Sequence, residues 1–254
     1  MRESRQARDW DELAELDPLW AVLSEPAFTH GGGSVDDFFA TGAGEVSGAL
    51  DMGRELGLPA RSGRALDFGC GVGRLTRALA SRFESCVGVD VSPKMVDAAK
   101  RLNADVENVE FVVNRDPDLR AFASGSFDLV YSSIVLQHLR SRAEIERFVT
   151  ELVRLVAADG LAVVQIPASI SLRYRLQPRR RAYAALRALG VNPEALYRRG
   201  LNPIQVRALP ESRVRELVAR AGGRVVRVVA DSSVPPLESN RYFVAAAPRN
   251  TSSV

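Results

Sequence analysis

The stretch "ALDFGCGVGRLTRALA", residues 65–80, decides how the rest of this 254-residue chain is read. A short apolar run carries one acid, Asp67, breaks at three alternating glycines, Gly69, Gly71 and Gly73, and continues as a helix-like segment. A strand that turns into a helix in this way brings backbone N–H groups close to a ligand. The spacing differs from the G-x-G-x-x-G of a dinucleotide site, because Arg74 stands where the third glycine would. No G-K-[ST] follows, so a Walker-type phosphate loop does not fit either. Charge says more than spacing. Asp67 would repel a pyrophosphate and attract an ammonium or sulfonium group, while the free N–H groups at the helix start suit a carboxylate. An amino-acid ligand supplies both signs.

The next strand, in "VGVDVS" (residues 87–92), ends in Asp90. A carboxylate there accepts both ribose hydroxyls in nucleoside-binding α/β folds. An amino acid joined to a nucleoside describes S-adenosylmethionine. Taken singly these residues also have bland readings: Asp67 as a helix cap, Asp90 as a solvated strand end. Their combination around the glycine turn favours the cofactor.

Outward from this turn, strands alternate with helices. The strands are "RALDF" (64–68), "SCVGVDV" (85–91), "VEFVVN" (109–114), "SFDLVYSS" (126–133) and "GLAVVQIP" (160–167). Helices are expected at 73–83, 93–102, with Pro93 early in the helix, at 142–157, and at 211–222. The run 142–157 has a clear apolar stripe at Ile145, Phe148, Leu152 and Leu155. "GRVVRVVAD" (223–231) and "RYFVAAA" (241–247) follow without a helix between them, so they are expected to pair antiparallel. This pattern predicts an α/β fold, a doubly wound, mostly parallel seven-stranded sheet with an antiparallel last strand. Residues 1–62 read as a helical N-terminal segment and 63–254 as the core. Within the core, 169–209 form a helical insertion rich in arginine and tyrosine. Pro18 should break the first helix. Ser34 should cap a helix beginning "VDDFF", and a further helix should run from about Gly44 to Leu56.

Composition narrows the class. A net charge of +3 is too mild to imply nucleic acid by itself. No stretch approaches the roughly 20 apolar residues of a membrane span, and the N-terminus lacks an apolar signal core, so a cytoplasmic protein is expected. Two cysteines, Cys70 and Cys86, make no disulfide framework, and no Cys/His cluster suggests a metal.

These residues resemble the class I S-adenosylmethionine-dependent methyltransferases of the bacterial small-molecule type. "LDFGCGVGRLTRALA" is similar to their first motif, "VGVDVSPKMVDAAK" to the ribose and adenine motif, and "FDLVYSSIVLQHL" to the strand lining the reaction site. The resemblance covers about residues 63–166 and extends more loosely to the closing helix and strand pair and to "FFATGAGEV" upstream. It implies that Asp67, Gly69, Cys70 and Gly71 surround the methionine portion of the cofactor. Asp90 would take the ribose, with Val91 and Met95 against the adenine. The family often has an acid after the third strand, where this chain has "NRDPD"; Arg115 takes that place, with Asn114 and Asp116 as substitutes beside it. Ser132 is expected along the cofactor.

His138, in "IVLQHL", is the candidate catalytic base; its alternative role is to tie down the loop after the fourth strand. His30 beside a glycine loop is the weaker candidate. The insertion should overhang the acceptor pocket together with Trp10, Trp20, Phe28 and Phe39, its tyrosines packed on the sheet. Gly31–Gly33 would let the N-terminal piece move. The expected reaction is methyl transfer to a small organic acceptor, oxygen favoured over nitrogen. The rivals are an RNA or protein methyltransferase that uses the arginines and a non-catalytic cofactor-binding protein. No "NPPY"-type or "DPPY"-type tetrapeptide follows the fourth strand, where "SSIV" stands, so nucleic acid is the less favoured partner. Oligomeric state is not legible.

Overall fold

The computed structural model describes residues 5–25, 27–28, 32–231 and 237–246. His30 and Gly31 lie outside the described residues. The elements run α1 (Arg5–Leu16), α2 (Pro18–Val22), α3 (Val35–Glu55), β1 (Arg64–Phe68), α4 (Arg74–Ala80), β2 (Ser85–Asp90), α5 (Pro93–Leu102), β3 (Val109–Val113), β4 (Phe127–Ser132), α6 (Arg142–Leu155), β5 (Val156–Ser169), α7 (Leu172–Leu176), α8 (Pro178–Ala188), α9 (Pro193–Tyr197), α10 (Glu211–Arg220), β6 (Gly223–Asp231) and β7 (Glu238–Ala246). A short 3-10 turn, Leu136–His138, follows β4.

The strands form one sheet in the order β3-β2-β1-β4-β5-β7-β6. Pairings from β3 through β5 are parallel, and β7 runs antiparallel to both β5 and β6. The sheet therefore has the predicted architecture. Its strand order reverses between β1 and β4, and a doubly wound sheet opens its ligand crevice at that point.

Period-two alternation divides the core. Leu66, Val87 and Val130 face α6 and α10, where Ile145, Leu152, Val214 and Val218 are buried. Ala65, Cys86 and Leu129 face α3 and α4 on the other side, against Val46, Leu75 and Leu79. A third apolar cluster joins α1, α2 and α3 to α5 through Leu13, Ala21, Phe28, Phe38 and Met95. It anchors the N-terminal helices beside the sheet's carboxyl edge.

Local signals explain most helix starts. Ser34, Ser92 and Ser141 each accept a hydrogen bond from the backbone N–H three residues on, as N-caps do. Pro18 occupies the first turn of α2 and separates it from α1 as expected. One boundary was misjudged from sequence. The expected pair of helices before the sheet is a single 21-residue helix, α3. Gly42, inside this helix, serves close packing: a β-carbon there would collide with the backbone carbonyl of Arg74 at the start of α4.

Candidate active site

The glycine turn between β1 and α4 bends as its composition requires. Gly69 and Gly71 have φ of +78° and +53°, and a β-carbon on either would strike Val135 or Val22 respectively. The turn is clasped from β2. Val89 O accepts from the N–H groups of both Gly69 and Cys70. Asp90 Oδ2 accepts from Gly71 N at 2.9 Å, and Oδ1 accepts from Ser92 N, also at 2.9 Å. Burial pushes the Asp90 carboxyl up, opposed by these backbone donors.

Asp67 is 1% exposed. Its Oδ2 accepts from the Thr76 hydroxyl at 2.7 Å, and it has no ion-pair partner among the described residues. It is a carboxylate beside the strand end, not a helix cap. Desolvation drives its pKa up to about 7, outweighing the Thr76 bond and the nearby Arg74 charge. Arg74 itself turns away from Asp67, pairing with Glu45 of α3 at 2.7 Å. Glu45 also pairs with Arg241 at 3.1 Å. Against the desolvation that raises it, these two guanidiniums draw the Glu45 carboxyl below its usual range.

A cavity of about 230 Å³ opens over the turn. Asp67, Gly69, Cys70, Gly71, Asp90, Val91, Met95, Asn114, Arg115 and Asp116, all expected from sequence, line it together with His138. Ser132 does not. Its hydroxyl donates to Phe68 O at 3.2 Å and ties β4 to β1, because the pleat turns it away from the crevice. Ser133, one residue on, lines the cavity in its place.

The expected aromatic roof also needs correction. Of Trp10, Trp20, Phe28 and Phe39, only Trp10 lines the cavity. Trp20 packs edge-on against Tyr197, Phe28 and Phe39 pack against Phe38, and all belong to the third apolar cluster. Tyr197 likewise leaves the sheet and donates from its hydroxyl to Asp17 Oδ2 at 2.9 Å.

His138 sits at the junction between this cavity and a second one, also of about 230 Å³. Its Nδ1 is 2.7 Å from Gln205 O, and since a carbonyl only accepts, Nδ1 carries the proton. Nε2 is then an acceptor, with Gln137 Nε2 at 3.4 Å. Burial lowers the imidazole pKa to about 4 despite the Gln205 bond, so the ring is neutral at physiological pH. Trp10 meets the ring edge-on at 5.6 Å between centroids.

The turn leading to His138 contains a feature with no sequence signal. Ile134 has φ of +59°, a strained conformation for a β-branched residue. Gln165 of β5 stabilises it by accepting from Ile134 N at 2.7 Å. That pairing depends on β4 and β5 lying side by side.

Residues 66–164 match the family model for a methyltransferase domain. Those residues form a methyltransferase domain, and the sheet around it has the class I methyltransferase fold. The chain is 35% identical over 105 residues to the chloroplastic tocopherol O-methyltransferase of Arabidopsis thaliana, a match covering 40% of this chain and 29% of that one. It is 34% identical over 115 residues to a ubiquinone biosynthesis O-methyltransferase of Xanthomonas campestris, covering 40% and 48%. These matches span less than half the length of either relative. Among solved structures, its fold is similar to a magnesium protoporphyrin IX methyltransferase from Synechocystis with bound SAH. There the TM-score is 0.54 at 21% identity, over 82% of this chain and 83% of that one. A methyltransferase from Leishmania major aligns with TM-score 0.61 at 16% identity, over 94% and 82%.

The site fits S-adenosylmethionine. Each Asp90 oxygen spends one lone pair on a backbone N–H and keeps another for a ribose hydroxyl. Asp67, which lines the cavity without an ion-pair partner among the described residues, suits the positive methionine end. Val91 and Met95 offer apolar surface for a base. Among the described residues, no group of His, Cys, Asp and Glu is arranged to hold a metal ion, and no helix is long and apolar enough to cross a membrane.

Proposed function

We propose that the protein transfers a methyl group from S-adenosylmethionine to a small organic acceptor, with oxygen favoured over nitrogen as the accepting atom. The observation that carries this reading is the position of His138, neutral and tautomerically fixed where the cofactor-type cavity meets a second one. When bound, the cofactor supplies a methyl group already activated by its sulfonium. The protein's tasks are then positioning and proton handling. Asp67, Gly69, Gly71 and Asp90 hold the cofactor, and His138 Nε2 takes the acceptor's proton. The two relatives named as O-methyltransferases support the preference for oxygen.

Residues 1–62 and 169–209 act as a two-part lid in this proposal. The Arg187–Glu12 ion pair at 3.0 Å and the Tyr197–Asp17 hydrogen bond join α8 and α9 to the N-terminal helices. Closure would exclude water from the reacting atoms. The test is methyl-labelled cofactor incubated with the protein and separated cell-extract fractions. Label should enter the small-molecule fraction; label confined to RNA or protein would reject the small acceptor, and no transfer would favour a non-catalytic binding protein.

A further inference from the structure

We propose that the acceptor carries an anionic group, a carboxylate or a phosphate, seated among the arginines of the second cavity while its methylated atom faces His138. This rests on the methyl-transfer reading and names the chemistry of its acceptor.

The second cavity shares Gln6, Trp10, His138 and Arg140 with the first, so a molecule lying in it reaches the base. Four guanidiniums line it, those of Arg5, Arg140, Arg180 and Arg207, against one carboxylate, Asp9. Burial raises the Asp9 pKa, more than Arg5 and Arg180 lower it, which weakens even that counter-charge. Arg180 is in turn disfavoured as a cation by burial and by repulsion from Arg5 and Arg207.

Several arginines elsewhere in the chain are paired. Arg154, Arg187, Arg198, Arg213 and Arg241 each hold a carboxylate within 3.1 Å. In the second cavity, neither Arg140 nor Arg207 has an ion-pair partner among the described residues, and Arg207 Nε is buried with no hydrogen-bond acceptor. A buried donor left unmade is costly, and an entering anion removes that cost. Trp10, Leu13, Pro203 and Ile204 complete the walls and suit the organic body of such a molecule. A cavity of about 230 Å³ fits a compact anion better than a nucleic-acid backbone, which needs a continuous basic track.

The test is calorimetry on the full chain, with and without saturating S-adenosylhomocysteine, titrating benzoate, inorganic phosphate and the neutral isostere benzamide. Benzoate or phosphate should bind at least about tenfold more tightly than benzamide, the worth of one hydrogen bond to a charged group. The tighter of the two identifies carboxylate or phosphate as the recognised group. Arg207→Gln should remove that preference and Arg207→Lys should keep most of it, with S-adenosylhomocysteine affinity unchanged in both. Benzamide equal to both anions, or an anion preference indifferent to Arg207→Gln, overturns the proposal while leaving methyl transfer standing. Loss of the anion on adding bulk RNA, with a steep salt slope, also overturns it and assigns the arginines to RNA. Failure of S-adenosylhomocysteine to bind any form would sink the methyl-transfer reading instead.

Discussion

The floor of the first cavity and its roof are held by contacts of very different reach. On the floor, Thr76 bonds Asp67 across nine residues and Gly71 bonds Asp90 across nineteen. In the roof, Gln205 meets His138 across 67 residues, Glu12 pairs with Arg187 across 175, and Tyr197 bonds Asp17 across 180. The floor is a strand, a turn and a helix whose geometry follows from glycine conformations and adjacent strand pairing. The roof consists of short helices that meet only when the sheet has placed their ends together. A cofactor-type surface is thus built locally, whereas the acceptor side depends on the whole chain.

The sharpest break between the two regions should come at His138. If the roof supplies the base and the floor the cofactor, His138→Ala should lower methyl transfer by roughly 10²–10⁴-fold. Affinity for S-adenosylhomocysteine, read by calorimetry, should hardly move. Near-full turnover would reduce His138 to tying its loop to Gln205. Its pH profile sharpens the point. Because burial lowers the imidazole pKa to about 4, the neutral base persists through mild acid, and the rate should fall only as pH approaches that value. A fall centred near 6.5 would mean that the imidazole is solvated during turnover.

The floor should show the converse pattern. Asp90→Ala removes the acceptor of two backbone N–H groups and of the ribose, so S-adenosylhomocysteine should bind about 10–100-fold more weakly. Affinity for NAD should stay negligible in both forms. Tight NAD binding untouched by the substitution would overturn the cofactor assignment.

Asp67 gives a smaller, pH-dependent effect. Its pKa of about 7 means that it is largely protonated at pH 6 and ionised at pH 8. A cationic ligand end needs the ionised form, so cofactor affinity should rise with pH and level off above about 7, and Asp67→Asn should flatten that rise. The sign for stability is opposite. A carboxyl whose folded pKa is raised stabilises the fold at low pH and loses that contribution as pH climbs through about 7, so Asp67→Asn should raise Tm relative to the parent chiefly at alkaline pH.

The smallest expected effect lies in the roof's clasp. Tyr197→Phe deletes the bond to Asp17, which retains the N–H of Trp20 as a donor. The loss should be about 1 kcal/mol in denaturant melts. Faster proteolysis of the first 25 residues, with cofactor affinity intact, would place the clasp in the roof alone; equal proteolysis would mean that it does not hold the N-terminal helices down.

Much of this division was already legible in the residues. Alternation in "RALDF" and "SCVGVD", the three glycines, Asp67 and Asp90 specify the floor through near-neighbour geometry, and strand–helix alternation specifies the sheet. Ten residues named from the sequence line the first cavity, since a motif carries its own local frame. Ser132 was displaced by one position because the pleat decides which of two successive side chains enters the crevice, and the end of a strand is not marked in sequence. The helix expected to start only at about Gly44 continues the one capped by Ser34, and composition does not reveal that another backbone lies against Gly42.

Sequence by itself determined the parallel sheet, the glycine turn and the residues that floor the first cavity. Tertiary structure alone decided that Trp10 lines the cavity while Trp20, Phe28 and Phe39 do not, that Gln165 stabilises the strained Ile134, and that Gln205 sets the His138 tautomer. It also decided that Arg5, Arg140, Arg180 and Arg207 share one cavity. The physical reason is the range of the forces involved. Backbone preferences and strand periodicity act within a few residues, whereas burial, pairing and the loss of solvent around a charge exist only after distant segments have met.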